Sequence, residues 1–218
     1  MNQSYKTVYR GGTGEITEKK SRFIATVEPV ASEEEAAAFI GRIKKQYWDA
    51  RHNCSAFVIG RNGELTRCSD DGEPSGTAGK PMLEVLLGHQ LTDCVVVVTR
   101  YFGGTLLGTG GLVRAYTQAV QEGLKNSVLI EKRCGYKTEL VMDYNDVGRL
   151  QYLLSQENIQ TLTTEYTQKA AFVVMVPEDQ KENFLKKAAE VTAGRCAVQV
   201  LGQSFYALID GKVLLFDV

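Results

Sequence analysis

The chain lacks any apolar run long enough to span a bilayer. The run Cys94 to Val98 stops at Thr99, whereas a spanning helix needs ~20 residues. Met1 is followed by Asn-Gln-Ser-Tyr-Lys rather than by a hydrophobic signal region, so a cytoplasmic protein is expected. Histidine is scarce, with only His52 and His89. The cysteines (Cys54, Cys68, Cys94, Cys134, Cys196) are odd in number, widely spaced and never in a Cys-x-x-Cys pair. Such spacing argues against a disulfide framework and against structural zinc, and neither metal nor cofactor is expected. Internal repeats and low-complexity segments are absent too. Nor does charge of one sign dominate. Residues 1–134 carry 17 basic against 15 acidic side chains, and residues 135–218 carry 8 against 11. Neither half is a strongly basic module that holds nucleic acid by charge alone, so any RNA contact has to come from a local patch.

What is present is an ordinary globular composition, 44% hydrophobic and 23% charged over 218 residues. That length suits two domains at the usual ~100–200 residues each, read as residues 1–134 and 135–218. In residues 1–134, strands are read at Tyr5–Tyr9 and Glu15–Val30 around the break Gly11-Gly12-Thr13-Gly14. A helix follows, opened by the capping box of Ser32 and Glu35, with Ala36, Phe39, Ile40, Ile43 and Tyr47 on one face. The Asn62-Gly63 turn joins strands Cys54–Ile59 and Glu64–Cys68 in a hairpin. Pro81 opens a short helix with Met82, Val85, Leu86 and His89 on its apolar side. Strand Cys94–Tyr101 and a helix from Gly110 to Lys125 complete this half.

In residues 135–218 the pattern is strand 136–143, helix 145–157, strands 159–167 and 169–176, helix 178–192 and strand 196–203. That is the βαββαβ order of a ferredoxin-like sandwich. Asn145 and Glu178-Asp179 stand where helix starts take polar caps, and Gly194 stands where the second helix stops. Strands at Phe205–Ile209 and Lys212–Phe216 follow, turning at Asp210-Gly211. The expected fold class is α+β with two domains.

Chemistry concentrates in two loops. Gly103, Gly104, Gly108, Gly110 and Gly111 crowd the passage from strand to helix, more than a simple turn requires, and leave room for another backbone or an anion. Arg100 and Arg114 flank this loop, beside a helix N-terminus whose amides lack intrahelical partners. The loop is not a dinucleotide fingerprint, because the final glycine is missing. Close helix-on-strand packing is the plainer use for its glycines. The second loop, Asp70 to Leu83, carries Asp70, Asp71, Glu73 and Lys80. It could hold Mg²⁺ or a ligand, or simply cap the following helix. Gly79-Lys80 runs into Pro81, so it is not a P-loop. His52 and Cys54 alternate on one strand and share a face, which permits a Cys–His pair, although a buried free cysteine more often acts as a small hydrophobe. Lys19-Lys20-Ser21-Arg22 forms a small basic cluster, relevant only if it lies beside Arg100 and Arg114.

Four motifs in order carry a family resemblance: Lys20-Ser21-Arg22-Phe23-Ile24, Ala50-Arg51-His52-Asn53-Cys54, Asp70 through Leu83, and Val97-Val98-Thr99-Arg100-Tyr101-Phe102-Gly103-Gly104 through Arg114-Ala115-Tyr116. Together they resemble the YigZ/Impact family over most of residues 19–119, and Trp48 stands where that pattern has a proline. The C-terminal half resembles the family only in pattern. The resemblance implies an N-terminal left-handed βαβ fold like that of some ribosomal proteins, GHMP kinases and the fourth domain of elongation factor G. It implies a C-terminal domain like that factor's fifth. It further implies a link to translation, which eukaryotic relatives regulate through an additional domain.

The resulting expectation is a non-enzymatic RNA- or ribosome-binding protein with a role in translation regulation. Arg100, Arg114 and Lys80 would contact phosphates, joined by Lys20 and Arg22. His52 and Tyr101 would stack or hydrogen-bond, and the glycines would admit the ligand. Two alternatives stay open: a Mg²⁺-dependent enzyme on a nucleotide or small phosphorylated ligand, with Asp70, Asp71 and Glu73 as metal ligands, and a protein-interaction module without nucleic acid. The leading reading requires both arginines to be free of internal carboxylates.

Overall fold

The computed structural model describes residues 4–217, in two compact units, 4–131 and 132–217. The first contains β1 (Ser4–Arg10), β2 (Thr13–Glu18), β3 (Ser21–Pro29), α1 (Glu33–Gln46), β4 (His52–Ile59), β5 (Leu65–Ser69), α2 (Gly79–Gly88), β6 (Leu91–Thr92), β7 (Cys94–Tyr101) and α3 (Thr109–Lys125). Strands β2-β3-β7-β4-β5 form a sheet with antiparallel neighbours throughout, while β1 pairs in parallel with β6. Cys94–Val98 is completely buried because β7 is central and covered on both faces, which explains its unbroken apolar run.

Strand alternation sends Val96 and Val98 toward α2 and α3, where they pack with Met82, Leu86, Tyr116 and Val120. Val95 and Val97 face the other way, toward Ala36, Phe39 and Ile43 of α1. The capping box forms: Glu35 N–H donates to Ser32 Oγ at 3.2 Å, and Glu35 Oε2 accepts from the Ala31 amide at 2.7 Å. Glu15–Val30 is not one strand. It breaks at Lys19 and Lys20, whose φ angles of 44° and 67° make a two-residue hairpin turn without the usual glycine or asparagine.

The strand β8 (Val128–Met142) leads into the second unit, which continues with α4 (Tyr144–Gln156), β9 (Gln160–Tyr166), β10 (Ala170–Pro177), a 3₁₀ turn Glu178–Gln180, α5 (Lys181–Val191), β11 (Ala197–Ile209) and β12 (Lys212–Phe216). The antiparallel order β9-β10-β8-β11 is the ferredoxin-like arrangement, with β12 added at the edge. Leu140, Phe172, Val174, Leu150 and Phe184 form its core. The strands read separately at 196–203 and 205–209 are one, interrupted only by a bulge between Val200 and Gly202. Asp143, not Asn145, precedes α4 as its cap residue. Gly194, with φ 72°, does stop α5, its amide donating to the Ala189 carbonyl at 2.8 Å. Among the described residues no helix is long and apolar enough to cross a membrane.

Candidate functional site

The antiparallel pairings deliver the motifs to one end of the five-stranded sheet. Strand β3 begins there with Ser21 and Arg22 and β4 with His52, while β5 ends there at Ser69 and β7 at Tyr101. The acidic turn and the glycine loop therefore meet. Gly72, Glu73 and Pro74 face Phe102, Leu106, Leu107, Gly108, Thr109 and Leu112 across a cleft of about 350 Å³, which Arg51, His52 and Arg100 also line.

Arg100 is paired across β7 with Phe23 and His52, so all three side chains share the α3 face. There its guanidinium is 93% buried, and Nη1 donates to Glu73 Oε1 at 2.5 Å. The rings of Phe23 and Phe102 lie 5.4 and 5.7 Å from its Cζ. Tyr116 of α3 donates from its hydroxyl to the same Glu73 oxygen at 2.9 Å. The expectation of a free Arg100 on a phosphate is thereby corrected: a guanidinium this deep requires a counter-charge, and Glu73 supplies it. Arg100 Nε is buried and makes no hydrogen bond, a residual donor on a cleft-lining residue.

His52 donates from Nδ1 to the Asp71 carbonyl at 2.9 Å, since a carbonyl can only accept, and its Nε2 lies 3.9 Å from Glu73 Oε1. Cys54 is no nucleophile. Its Sγ lies 3.0 Å from the Asp70 carbonyl and 3.3 Å from the Tyr116 hydroxyl, and burial pushes the thiol up to about 12.

The carboxylates expected to hold Mg²⁺ are already engaged. Asp70 accepts from the amides of Gly76, Ala78 and Gly79 at 2.8, 3.1 and 2.8 Å. Burial pushes its carboxyl up, but the three amides outweigh it and hold the group below the ordinary aspartate value. Asp71 takes Lys44 Nζ at 2.5 Å and the Asn53 amide at 2.7 Å. Among the described residues no group of three or more His, Cys, Asp or Glu side chains is disposed to hold a metal ion. Asp70 and Asp71 are therefore the fasteners of the turn that sets Glu73 against Arg100.

Tyr101 and Arg22, one position out of phase with Arg100 and Phe23, face α1 instead. Tyr101 donates to Asp49 Oδ1 at 2.8 Å, and Arg22 pairs with Glu15 at 2.6 Å. Tyr101 and His52 therefore do not act from one face. Lys80, on the first turn of α2, and Arg114, on the second turn of α3, are exposed and lie outside the cleft lining. Lys20, Arg51, Lys80 and Arg114 form no ion pair among the described residues.

The glycines are largely consumed by the chain itself. A Cβ on Gly103 would meet Lys20 carbonyl carbon at 2.0 Å, so this glycine admits the Lys19-Lys20 turn and brings that basic turn beside the loop. Gly108 has φ 74°, and Gly104 is likewise left-handed. Gly111 sits against Leu107, leaving Gly110 facing only Arg114 Nη1, 3.7 Å away. The N-terminus of α3 nonetheless stays open: Gly108 offers no side-chain cap, the first turn has no acid, and its leading amides lack intrahelical partners. Sequence reasoning passed over Arg51, Phe102, Leu106 and Leu107 as cleft residues. Arg51 could have been found from its place beside His52.

Fold and site together define a two-domain α+β protein whose N-terminal unit carries its polar machinery in a cleft at one end of a five-stranded sheet. The chain belongs to the IMPACT family. The Impact N-terminal domain matches residues 19–124, and the domain of unknown function DUF1949 matches residues 140–195. The IMPACT family member YvyE of Bacillus subtilis is 43% identical over 199 residues, 91% of this chain and 92% of that one. YigZ of Escherichia coli is 36% identical over 178 residues, 81% and 87% of the two chains. A crystal structure of a protein described only as hypothetical is similar with a TM-score of 0.59 and 33% identity, covering 93% of this chain and 99% of that one.

Proposed function

We propose that this protein is a non-enzymatic, translation-linked factor that binds RNA, free or on the ribosome, through the cleft of its N-terminal unit. One observation carries the reading: the open N-terminus of α3 and the unpaired Arg51 line one cleft, whose walls also expose Phe102 and Leu106. Helix amides and arginines suit a phosphate, and apolar walls suit an unstacked base, so the cleft has the two components that single-stranded RNA recognition requires. Because Arg100 and Glu73 neutralise each other, Arg51 leaves the lining with an excess of positive charge. Arg114, Lys80 and Lys20 stand outside the cleft as further phosphate contacts. The family resemblance supports the link to translation. A Mg²⁺-dependent reaction is disfavoured because Asp70 and Asp71 have both oxygens engaged by amides and Lys44, and Glu73 Oε1 is taken by Arg100 and Tyr116.

The test is ribosome co-sedimentation, with fluorescence anisotropy of labelled single-stranded RNA, at rising salt. The wild type is expected to lose affinity steeply as salt rises. An Arg51→Ala/Arg114→Ala variant, both changes being on exposed side chains, should bind more weakly with a shallower salt slope. Equal binding by the two proteins at every salt concentration overturns the proposal.

A further inference from the structure

We propose that the cleft recognises the 3′ end of an RNA, with His52 Nε2 and Glu73 Oε2 accepting hydrogen bonds from the two hydroxyls of the terminal ribose. The inference rests on the RNA reading above and names the part of the RNA that enters. The fold leaves both atoms without a partner. The Glu73 side chain is only 3% exposed, and Arg100 and Tyr116 both donate to its Oε1, while Oε2 makes no hydrogen bond among the described residues. His52, 13% exposed, spends its Nδ1 hydrogen on the Asp71 carbonyl, so in the neutral ring Nε2 carries a lone pair. That lone pair meets no donor among the described residues either, since Glu73 Oε1, 3.9 Å away, is itself an acceptor.

Both residues line the same cleft. A ligand that fills it strips water from two neighbouring acceptors, one of them on a carboxylate, and an acceptor left bare costs more than an ordinary hydrogen bond returns. The occupant must therefore bring two donors close together. A phosphodiester brings none. The ribose of an internal nucleotide has a single hydroxyl, because its 3′ oxygen is esterified, and an internal deoxyribose has no hydroxyl at all. The terminal ribose carries two adjacent hydroxyls, and accepting from a ribose hydroxyl is an established use of an acidic side chain in nucleotide sites.

The rest of a nucleotide finds its counterparts in the same lining. The open N-terminus of α3 and Arg51 suit its 5′ phosphate, and Phe102 and Leu106 suit its base. At about 350 Å³ the cleft is at the small end of ligand sites, which fits one nucleotide better than a strand passing through. The two acceptors are also set in place before any ligand arrives. Arg100 and Tyr116 fix the Glu73 carboxylate, and the Asp71 carbonyl fixes the His52 ring, so little freedom remains to be lost on binding. The chemistry so defined is a nucleoside 5′-phosphate with both hydroxyls free, and an RNA end and a free mononucleotide share it.

The test titrates the full chain into 5′-fluorescein hexauridylates that differ only in the 3′ residue, which carries ribose, 2′-deoxyribose, 3′-deoxyribose or a 3′-phosphate, and reads anisotropy. Loss of either terminal hydroxyl should weaken binding roughly tenfold, the 3′-phosphate should weaken it at least as much, and a 2′-deoxy substitution in the middle of the strand should leave it unchanged. His52→Phe keeps a flat ring without the Nε2 acceptor and should narrow the gap between ribose and deoxyribose ends, with its melting temperature recorded alongside. The sugar series is run on the wild type, so the test stands even if that variant fails to fold. Equal affinity for all four ends overturns the inference and leaves the cleft reading intact, and so does a loss that follows the internal sugar instead of the terminal one. Uridine 5′-monophosphate should compete weakly, and competition as strong as that of unlabelled hexauridylate overturns the RNA end as the source of the diol. No anisotropy change with any of the RNAs overturns the cleft reading first and this one with it.

Discussion

Replacing Glu73 by glutamine probes the ion pair on which the cleft is built. Glu73 and Arg100 retain only 3% and 7% side-chain exposure, with 2.5 Å between Oε1 and Nη1. The small value typical of surface pairs does not apply at that depth. Glu73→Gln preserves the shape and can still accept from Tyr116, but it leaves the guanidinium inside the protein without a counter-charge. Breaking one partner of a buried pair costs about 3–5 kcal/mol, and the retained acceptor points to the lower end. For a unit of this size 1 kcal/mol moves the melting temperature by roughly 3–5 °C, so a fall of roughly 10–15 °C is expected in circular dichroism melts, with a matching loss in urea titrations. The companion variant Glu73→Gln/Arg100→Met removes both charges and keeps an apolar chain between Phe23 and Phe102. It should recover to within about 1 kcal/mol of wild type. A loss below about 1 kcal/mol for the single variant, or a double variant as unstable as the summed singles, refutes the idea that Glu73 exists to neutralise Arg100.

Gly103→Ala is expected to cost about 2 kcal/mol or more in urea unfolding, because the new methyl would press on the Lys20 backbone at 2.0 Å. Native thiol titration near pH 8 should leave Cys54 and Cys94 silent, both pushed up to about 12 by burial, while exposed Cys68 reacts at once. Acid unfolding should draw on Asp146 and Asp70. Arg195 holds the Asp146 carboxyl below the ordinary 3.8. Asp70 is held below the same 3.8 by backbone amides against the effect of burial. Because both folded values are depressed, their stabilisation is complete above the ordinary value and is lost as pH falls through the folded one. Asp70→Asn should lower stability at neutral pH and flatten its fall at low pH, measured as melting temperature against pH.

The local signals in the chain were sufficient for most elements. The Ser32–Glu35 box opened α1, Asn62-Gly63 turned the β4–β5 hairpin, the valine run of 94–101 made a central strand, and the βαββαβ rhythm of the second half folded as a ferredoxin-like sheet. These rest on neighbours within a few residues, which is why periodicity and turn chemistry sufficed. The Lys19-Lys20 turn escaped because its left-handed pair lacks the residues that usually announce one, and it is held by packing on Gly103 in a distant loop. The meeting of the acidic turn with the glycine loop depends on antiparallel pairing, which places strand starts and strand ends together. Strand phase then divides Arg100 from Tyr101, one to each face, although they are adjacent in the chain. Most decisively, a carboxylate and a guanidinium read from sequence as two ligand-binding groups proved to be each other's partner. Sequence supplied the charges and their spacing, but only burial, which belongs to the assembled tertiary structure, determined that Glu73 and Arg100 neutralise each other and that Arg51 stays free.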